Sequence, residues 1–218
     1  MLFENGQKIM FAGDSVTDAE RGRPYGEGLW AGTGKGFVRL AESALNAAYP
    51  ELLLHIRNMG CSGNTSRGLL ARWDQDILSM KPDWVITMIG VNDIWRQMDA
   101  PTIPEQAVDI NEYCRNLTEM IDKTEAAGAK MIFLTPFFME PLKNDPMRMK
   151  VDEYGAAMKR ICESRGILCV DTQAPFDEYL RHRHSSYLSW DRVHPSQVAC
   201  FLIVRQLFRA IGVDRQIL

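Results

Sequence analysis

Four short clusters of polar residues, spread along the chain, combine the groups that acyl transfer from an ester requires. They are residues 13–15 (Gly-Asp-Ser), 58–65 (Asn-Met-Gly-Cys-Ser-Gly-Asn-Thr), 90–93 (Gly-Val-Asn-Asp) and 191–195 (Asp-Arg-Val-His-Pro). In this order they offer a hydroxyl group, a backbone N–H group, a side-chain amide and an acid–base pair. Acyl transfer uses such groups as nucleophile, oxyanion donors and general base. The set predicts a hydrolytic site built from distant segments.

Ser15 is the predicted nucleophile. It follows a predicted buried strand and the turn of Gly13 and Asp14, and it opens a helical turn. A hydroxyl group there lies among unpaired backbone N–H groups, which can also hold an oxyanion. Taken alone, the cluster is more typical of a simple helix cap, because serine and aspartate are common capping residues.

Asp191 and His194 are the predicted acid–base pair. Their spacing lets the carboxylate accept a hydrogen bond from one imidazole nitrogen while the other nitrogen faces the serine. The alternative is a capping aspartate beside a surface histidine. No GxSxG pattern surrounds Ser15, which excludes the nucleophile elbow of the common alpha/beta-hydrolases.

Gly63 and Asn92 are the predicted additional oxyanion donors. Gly63 lies in a glycine-containing turn, where its backbone N–H group can approach a substrate closely, and Asn92 offers a side-chain N–H group after a predicted strand. Both residue types are usually only turn formers. The presence of all four clusters together favours the catalytic interpretation.

The elements that must position these groups alternate between strand and helix. Apolar runs and helical periodicity predict strands at 8–13, 52–58, 84–89, 130–135 and 167–171, and helices at 37–49, 66–80, 105–127, 149–165 and 195–211. Such alternation predicts a single three-layer α/β/α domain over residues 1–218 with a five-stranded parallel sheet. Ligands of open parallel sheets bind at the carboxyl ends of the strands, where the clusters fall. The glycine-dense stretch 21–36 is a predicted loop over the entrance.

Composition excludes several function classes. A net charge of -3 gives no basic surface for nucleic acid, and no apolar run is long enough to span a bilayer. The first residues do not have the pattern of a secretory signal. The five cysteines are scattered and odd in number, which favours free thiols in a reducing compartment, and we therefore expect a cytoplasmic protein.

No cofactor or metal is expected from the motifs. Residues 32–36 (Gly-Thr-Gly-Lys-Gly) lack the spacing and the final Ser or Thr of a phosphate loop. His182 and His184 have no third ligand at metal-binding spacing nearby.

The four clusters resemble, in order and spacing, the sequence blocks of the SGNH/GDSL hydrolase family over nearly the whole chain. The resemblance implies a flavodoxin-like SGNH architecture, with Ser15 as nucleophile and first oxyanion donor. It further implies that Gly63 and Asn92 are the other donors, His194 the general base and Asp191 its orienting carboxylate. Three more positions match family residues that hold the loops: Asp14, Asn58 and Asp93. Val16 departs from the family pattern, where leucine is frequent.

Four further stretches resemble the intracellular acetylxylan-esterase branch of this family, namely 22–28, 94–97, 145–148 and 189–194. The resemblance implies an esterase that removes acetyl groups from xylo-oligosaccharides and forms a homo-oligomer. Two alternatives stay open: a lysophospholipase, thioesterase or arylesterase of the same family, and a non-catalytic carbohydrate-binding protein with the same fold.

Three tryptophans and one arginine near the clusters are candidates for the substrate pocket: Trp30, Trp95, Trp190 and Arg96. Aromatic faces suit sugar rings, but tryptophans close to a core also simply pack. Arg96 could bind a substrate oxygen or only pair with Asp99.

Overall fold

The computed structural model describes residues 1–100 and 102–213. Five parallel strands form one sheet in the order β2-β1-β3-β4-β5, which confirms the predicted α/β class and strand number. Of the predicted domain 1–218, residue 101 and residues 214–218 lie outside the described residues. The strands are β1 (Lys8–Gly13), β2 (His55–Asn58), β3 (Trp84–Met88), β4 (Lys130–Leu134) and β5 (Leu168–Val170).

Helices flank this sheet in two packed series. One contains α2 and α8, which contact each other, and the other contains α3, α5 and α6 in succession. The eight α-helices among the described residues are α1 (Ser15–Asp18), α2 (Phe37–Ala48), α3 (Ser66–Ala71), α4 (Val91–Asp99), α5 (Ile110–Ala126), α6 (Pro146–Arg165), α7 (Gln173–Leu180) and α8 (Gln197–Ile211). Within the same residues, no helix is both long enough and apolar enough to cross a membrane.

Strand burial explains the apolar runs of the sequence. Every residue of β3 is buried, and in β1 only Lys8 is exposed, because helices cover both faces of the central strands. The register pairs Gly13 with Met88 and Phe11 with Asn58. The carboxyl ends of β1, β2 and β3 therefore meet at one edge, where the first three clusters begin.

The predicted helix at 66–80 is wrong as a single element. Only Ser66–Ala71 is α-helical, and it is followed by a π-helical turn at Trp73–Ile77 and a 3-10 turn at Leu78–Met80. Buried Leu69 lies in the α-helix and buried Trp73 and Ile77 lie in the π-helical turn, yet the three keep a helical spacing of four residues. Apolar periodicity alone does not distinguish hydrogen bonds to i+4 from bonds to i+5.

Other boundaries shift because of caps and turns. The predicted strand 52–58 begins only at His55, after a 3-10 turn at Pro50–Leu52. Helix α5 begins at Ile110 rather than at 105, because the Asp109 side chain caps it, and α6 begins at Pro146. Helix α8 begins at Gln197, with Ser196 rather than Pro195 at its start. Helices α4 and α7 were not predicted.

Candidate active site

The turn after β1 positions the predicted nucleophile. Ser15 is the first residue of α1, and the Asp14 side chain caps this helix by accepting a hydrogen bond from Val16 N at 3.0 Å. A Cβ atom on Gly13 would lie 2.4 Å from the carbonyl oxygen of Met88, so only glycine fits there. The Ser15 N–H group, at the first turn of a helix, has no intrahelical acceptor and is available to a ligand.

The fourth cluster meets this turn across 179 positions of sequence. The Ser15 hydroxyl group is hydrogen-bonded to His194 Nε2 at 2.8 Å, and His194 Nδ1 is bonded to Asp191 Oδ2 at 2.6 Å. Serine, imidazole and carboxylate therefore form one continuous hydrogen-bonded chain. This arrangement can remove the serine proton and stabilise the resulting imidazolium.

Asp191 is held as an ionised carboxylate. Its second oxygen, Oδ1, accepts hydrogen bonds from Ser189 Oγ at 2.8 Å, Val193 N at 3.0 Å and His194 N at 2.8 Å. Partial burial acts to raise the pKa of Asp191, but the hydrogen bonds from the His194 side chain and from the backbone outweigh it and lower the pKa to about 2. Sequence reasoning did not assign a role to Ser189.

An ion pair with a buried carboxylate fixes the turn between Asp191 and His194. Arg192 adopts a left-handed backbone conformation, with φ of 67°, which is unfavourable for a residue other than glycine. Its carbonyl oxygen accepts a hydrogen bond from Met139 N at 2.9 Å, and its guanidinium group contacts buried Glu140 at 2.5 Å. No spacing pattern marked Glu140, because it contacts the turn only through the tertiary fold.

Gly63 and Asn92 lie in turns joined by a hydrogen bond. Gly63 has a φ of 81°, and a Cβ atom there would meet nothing within 4 Å, so its backbone borders open space. Asn92 is in the first turn of α4, and its Nδ2 donates to the carbonyl oxygen of Asn64 at 2.9 Å. The amide has a second N–H group, which this bond leaves available for an oxyanion.

Asn58 joins the loops around the site. Its buried Nδ2 donates to the carbonyl oxygens of Thr17 at 2.5 Å and Thr33 at 2.8 Å, and its Oδ1 accepts from Gly60 N at 2.9 Å. The side chain thus links α1, the glycine-dense loop and the turn after β2.

Two buried carboxyl groups lie beside the site. Burial raises the pKa of Asp14 to about 7, although the bond from Val16 N lowers it. Burial likewise raises the pKa of Asp93 to about 6, against hydrogen bonds from the Ser66 hydroxyl group at 2.5 Å and the Ser66 backbone. Asp93 therefore attaches α4 to the start of α3. The sequence did not indicate that Ser66 would be its partner.

The candidate pocket residues have different environments. Trp95 is partly buried against the core, and its ring centroid lies 6.1 Å from that of His194. Arg96 pairs with Asp99 at 2.8 Å and lies over the Trp95 ring. Trp30 and Trp190 are 95% and 88% exposed, so neither packs in the core.

The described residues hold no set of side chains that could together bind a metal ion. Among residues 1–100 and 102–213, no group of three or more His, Cys, Asp or Glu side chains is arranged to hold a metal ion.

The sequence pattern of the GDSL-like lipase/acylhydrolase family matches residues 11–199, which include all four clusters. The chain belongs to this family. Its activity class is accordingly that of a carboxylic ester hydrolase.

Individual relatives are similar over different lengths. The chain is 44% identical to an acetylxylan esterase from Geobacillus stearothermophilus over 214 residues, which cover 98% of each protein. It is 32% identical to the esterase TesA from Pseudomonas aeruginosa over 129 residues, covering 59% of this chain and 53% of that protein.

Solved structures share the fold. The crystal structure of the Geobacillus acetylxylan esterase, Axe2, superposes with a TM-score of 0.96 at 43% identity and covers 98% of both chains. LAE5, an alpha/beta hydrolase enzyme from the metagenome of Lake Arreo, gives a TM-score of 0.94 at 44% identity, over 97% of this chain and 98% of that chain. The fold is thus that of the SGNH hydrolases, as predicted. Structures of Axe2 include the catalytic mutants S15A, D191A and H194A.

Proposed function

We propose that this protein is a serine esterase that removes acetyl groups from acetylated xylo-oligosaccharides through an acyl-enzyme on Ser15. The observation that carries the proposal is the hydrogen-bonded chain from the Ser15 hydroxyl group through His194 to Asp191, at 2.8 Å and 2.6 Å. Such a chain makes a hydroxyl group nucleophilic at neutral pH.

In the first half of the reaction, His194 Nε2 takes the proton as Ser15 Oγ attacks the acetyl carbonyl carbon. The carbonyl oxygen becomes an oxyanion, which accepts hydrogen bonds from Ser15 N, Gly63 N and Asn92 Nδ2. The tetrahedral intermediate then breaks its bond to the sugar oxygen, which leaves with the proton from His194. Acetyl-Ser15 and a free sugar hydroxyl group are the products of this step.

In the second half, water attacks the acetyl-enzyme while His194 takes one of its protons. The same three donors hold the second oxyanion, and Ser15 leaves with the proton that His194 returns. Acetate is released, and the hydrogen-bonded chain is restored. Asp191, ionised because of its low pKa, orients His194 and stabilises its charged form in both halves.

The substrate class rests on similarity and on the aromatic residues near the site. The acetylxylan esterase from Geobacillus stearothermophilus matches 98% of this chain, and its catalytic mutants carry substitutions at positions 15, 191 and 194, where this chain has the same residue types. Trp95 lies against the His194 ring, and Trp30 and Trp190 present open aromatic faces on which sugar rings can stack. Arg96, beside Trp95, is the proposed hydroxyl-binding residue.

The remaining parts of the proposal concern the whole chain. Residues 1–218 form one hydrolase domain, which acts in the cytoplasm as a homo-oligomer. All five cysteines are free thiols, which supports a reducing compartment. Asp14, Asn58 and Asp93 hold the loops that carry the reacting groups.

The direct test is the substitution Ser15→Ala. Deacetylation of acetylated xylo-oligosaccharides, followed by mass spectrometry, should fall by about 10⁴-fold or more, because the nucleophile is lost. The melting temperature should stay close to that of the wild type. Ser164→Ala, at an exposed serine on α6, is the matched control and should keep full activity. A fully active Ser15→Ala variant would overturn the proposal.

An ester panel separates the competing substrate classes. The wild type should hydrolyse nitrophenyl acetate faster than long-chain nitrophenyl esters, whereas a long-chain preference would indicate a lipid or thioester substrate. A fluorophosphonate should label Ser15 covalently. An unlabelled wild type without esterase activity would instead indicate a non-catalytic carbohydrate-binding protein.

A further inference from the structure

Arg72 contacts the two turns that carry two of the three proposed oxyanion donors, Ser15 and Gly63, although it has no role in the reaction steps above. It lies at the point where α3 ends and the π-helical turn begins, and its own backbone, with φ of -108° and ψ of 5°, is not helical. Its side chain is only 15% exposed. Such a local change of helical form is frequent at functional sites.

The guanidinium group of Arg72 bonds in three directions. Nε donates to Asn64 Oδ1 at 2.7 Å, and Nη2 donates to the carbonyl oxygen of Gly13 at 3.2 Å. Nη1 contacts Asp76 at 3.3 Å on the exposed side of the helix. Two of the three partners therefore belong to the site clusters, and the third, Asp76, lies outside them.

Each site partner is directly connected to an oxyanion donor. Gly13 precedes the Asp14 cap and Ser15, and its carbonyl oxygen also accepts from Cys61 N at 2.9 Å. Asn64 follows Gly63, and its own carbonyl oxygen accepts the hydrogen bond of Asn92 Nδ2. One planar cation thus links the segments that contribute all three donors.

This linkage matters because oxyanion donors act only at short range. Donors must lie about 2.7–3.1 Å from the oxyanion, and displacements of about 0.5 Å already impair a catalytic group. Arginine offers several N–H groups in a rigid plane, whereas lysine has one flexible ammonium group and cannot bond two fixed acceptors in the same way.

We propose that Arg72 is a positioning residue that fixes the spacing of Ser15 N, Gly63 N and Asn92 Nδ2 in the oxyanion hole. The inference rests on the proposed function of the same site. It predicts that Arg72 stabilises the transition state through these donors and contributes little to binding of the ground-state ester.

The primary test is Arg72→Lys, which keeps the charge but removes the planar fork. We expect kcat for nitrophenyl acetate to fall by about 10- to 100-fold with KM unchanged, because misplaced donors affect only the transition state. The inhibition constant of an arylboronic acid, which forms a tetrahedral adduct with a nucleophilic serine, should rise by a similar factor. The pH profile should keep its shape, since Arg72 touches neither His194 nor Asp191. Asp76→Asn, which preserves both site contacts, is the matched control and should stay within about twofold of wild type.

A second variant tests the same contact without altering Arg72. Asn64→Ala removes the acceptor of Nε but keeps the Asn64 carbonyl oxygen that binds Asn92. Asn64→Ala should also lower kcat. Arg72→Lys should reduce kcat by a smaller factor in the Asn64→Ala variant than in the wild type. The same non-additivity is expected in an Asn92→Ala background, because residues that act as a unit do not contribute independently.

The outcomes separate this inference from the proposed function. Equal losses of kcat from Arg72→Lys in the wild-type and Asn92→Ala backgrounds would overturn it, as would a change in KM alone. Unchanged kcat in both Arg72→Lys and Asn64→Ala would do the same while leaving the esterase assignment intact. A wild type that neither hydrolyses esters nor reacts with fluorophosphonate would contradict both proposals.

Discussion

Asp14 is adjacent to the proposed nucleophile, yet its own carboxyl group favours the neutral form. The side chain is 1% exposed, and burial raises its pKa from 3.8 to about 7. Between pH 4 and pH 7 the unfolded chain releases a proton that the folded protein retains, so this group makes folding less favourable as pH rises. Its cap to Val16 nevertheless requires only an accepting oxygen, which asparagine also has.

Asp14→Asn should therefore stabilise the protein more strongly at high pH. The substitution keeps the cap and removes the buried charge, so the melting temperature of the variant minus that of the wild type should be larger at pH 8 than at pH 5. Asp109→Asn is the matched control, since Asp109 caps α5 but its hydrogen bond from Glu112 N lowers its pKa. The Asp109 carboxyl group is ionised at both pH 5 and pH 8. The melting temperature of Asp109→Asn minus that of the wild type should therefore be the same at both pH values. A change in melting temperature on Asp14→Asn that is the same at pH 5 and pH 8 would contradict the raised pKa of Asp14.

At the scale of elements, the turn between β2 and α3 has glycines with two different functions. A Cβ atom on Gly60 would lie 2.3 Å from the backbone nitrogen of Asp18, so this glycine allows the turn to pack on α1. Gly63 has open space above it but requires a left-handed backbone. The first glycine is needed for packing, and the second for the conformation at the site.

Alanine substitutions at these two positions should separate stability from activity. Gly60→Ala should destabilise the fold by about 3 kcal/mol or more, because backbone atoms cannot move aside easily. Gly63→Ala should cost about 1–2 kcal/mol from the left-handed conformation, yet lower kcat by about 10-fold or more as its N–H group shifts. Thermal melts and nitrophenyl acetate kinetics on both variants test this. A greater loss of stability for Gly63→Ala would be inconsistent with the packing.

The loop between β4 and α6 supports the turn that carries Asp191 and His194. It holds the Asp191–His194 turn through Met139 and the Glu140–Arg192 ion pair, and Arg148, buried at the start of α6, donates to the Glu140 carbonyl oxygen at 2.7 Å. The proposed acid–base pair is thereby supported by residues that Arg72 does not contact.

At the scale of the whole molecule, several large apolar side chains are exposed on the surface instead of being packed in the core. Leu29, Trp30 and Trp190 are between 85% and 95% exposed, and they lie in the loops that flank the site clusters. Large exposed apolar groups often mark interaction sites for other protein chains or for ligands. The proposed sugar stacking and the proposed homo-oligomer both require such groups.

Light scattering coupled to size exclusion should accordingly give a mass of at least twice the monomer mass. We expect the value to be independent of protein concentration over the micromolar range if apolar surface is buried between subunits. A monomeric mass at all concentrations would contradict the homo-oligomer. Substrate binding would then be the remaining proposed role of Trp30 and Trp190.

The sequence by itself determined the fold class, the number of strands and the resemblance to the hydrolase family. Strand β1 has the predicted bounds 8–13, and the residue types and spacing of Ser15, Asp191 and His194 predict a nucleophile and an acid–base pair. These features depend on local periodicity and on motifs, which are contained in short segments.

Only the tertiary structure decided the supports of the site and the form of several elements. The contact of Arg72 with Gly13 spans 59 positions, and that of Glu140 with Arg192 joins two loops, so no local pattern encodes either. The π-helical turn after α3 and the exposure of Trp30 and Trp190 are likewise results of packing. A guanidinium group or a carboxylate has the same appearance in a sequence whether it faces solvent or a backbone carbonyl, and only the folded chain specifies its neighbours.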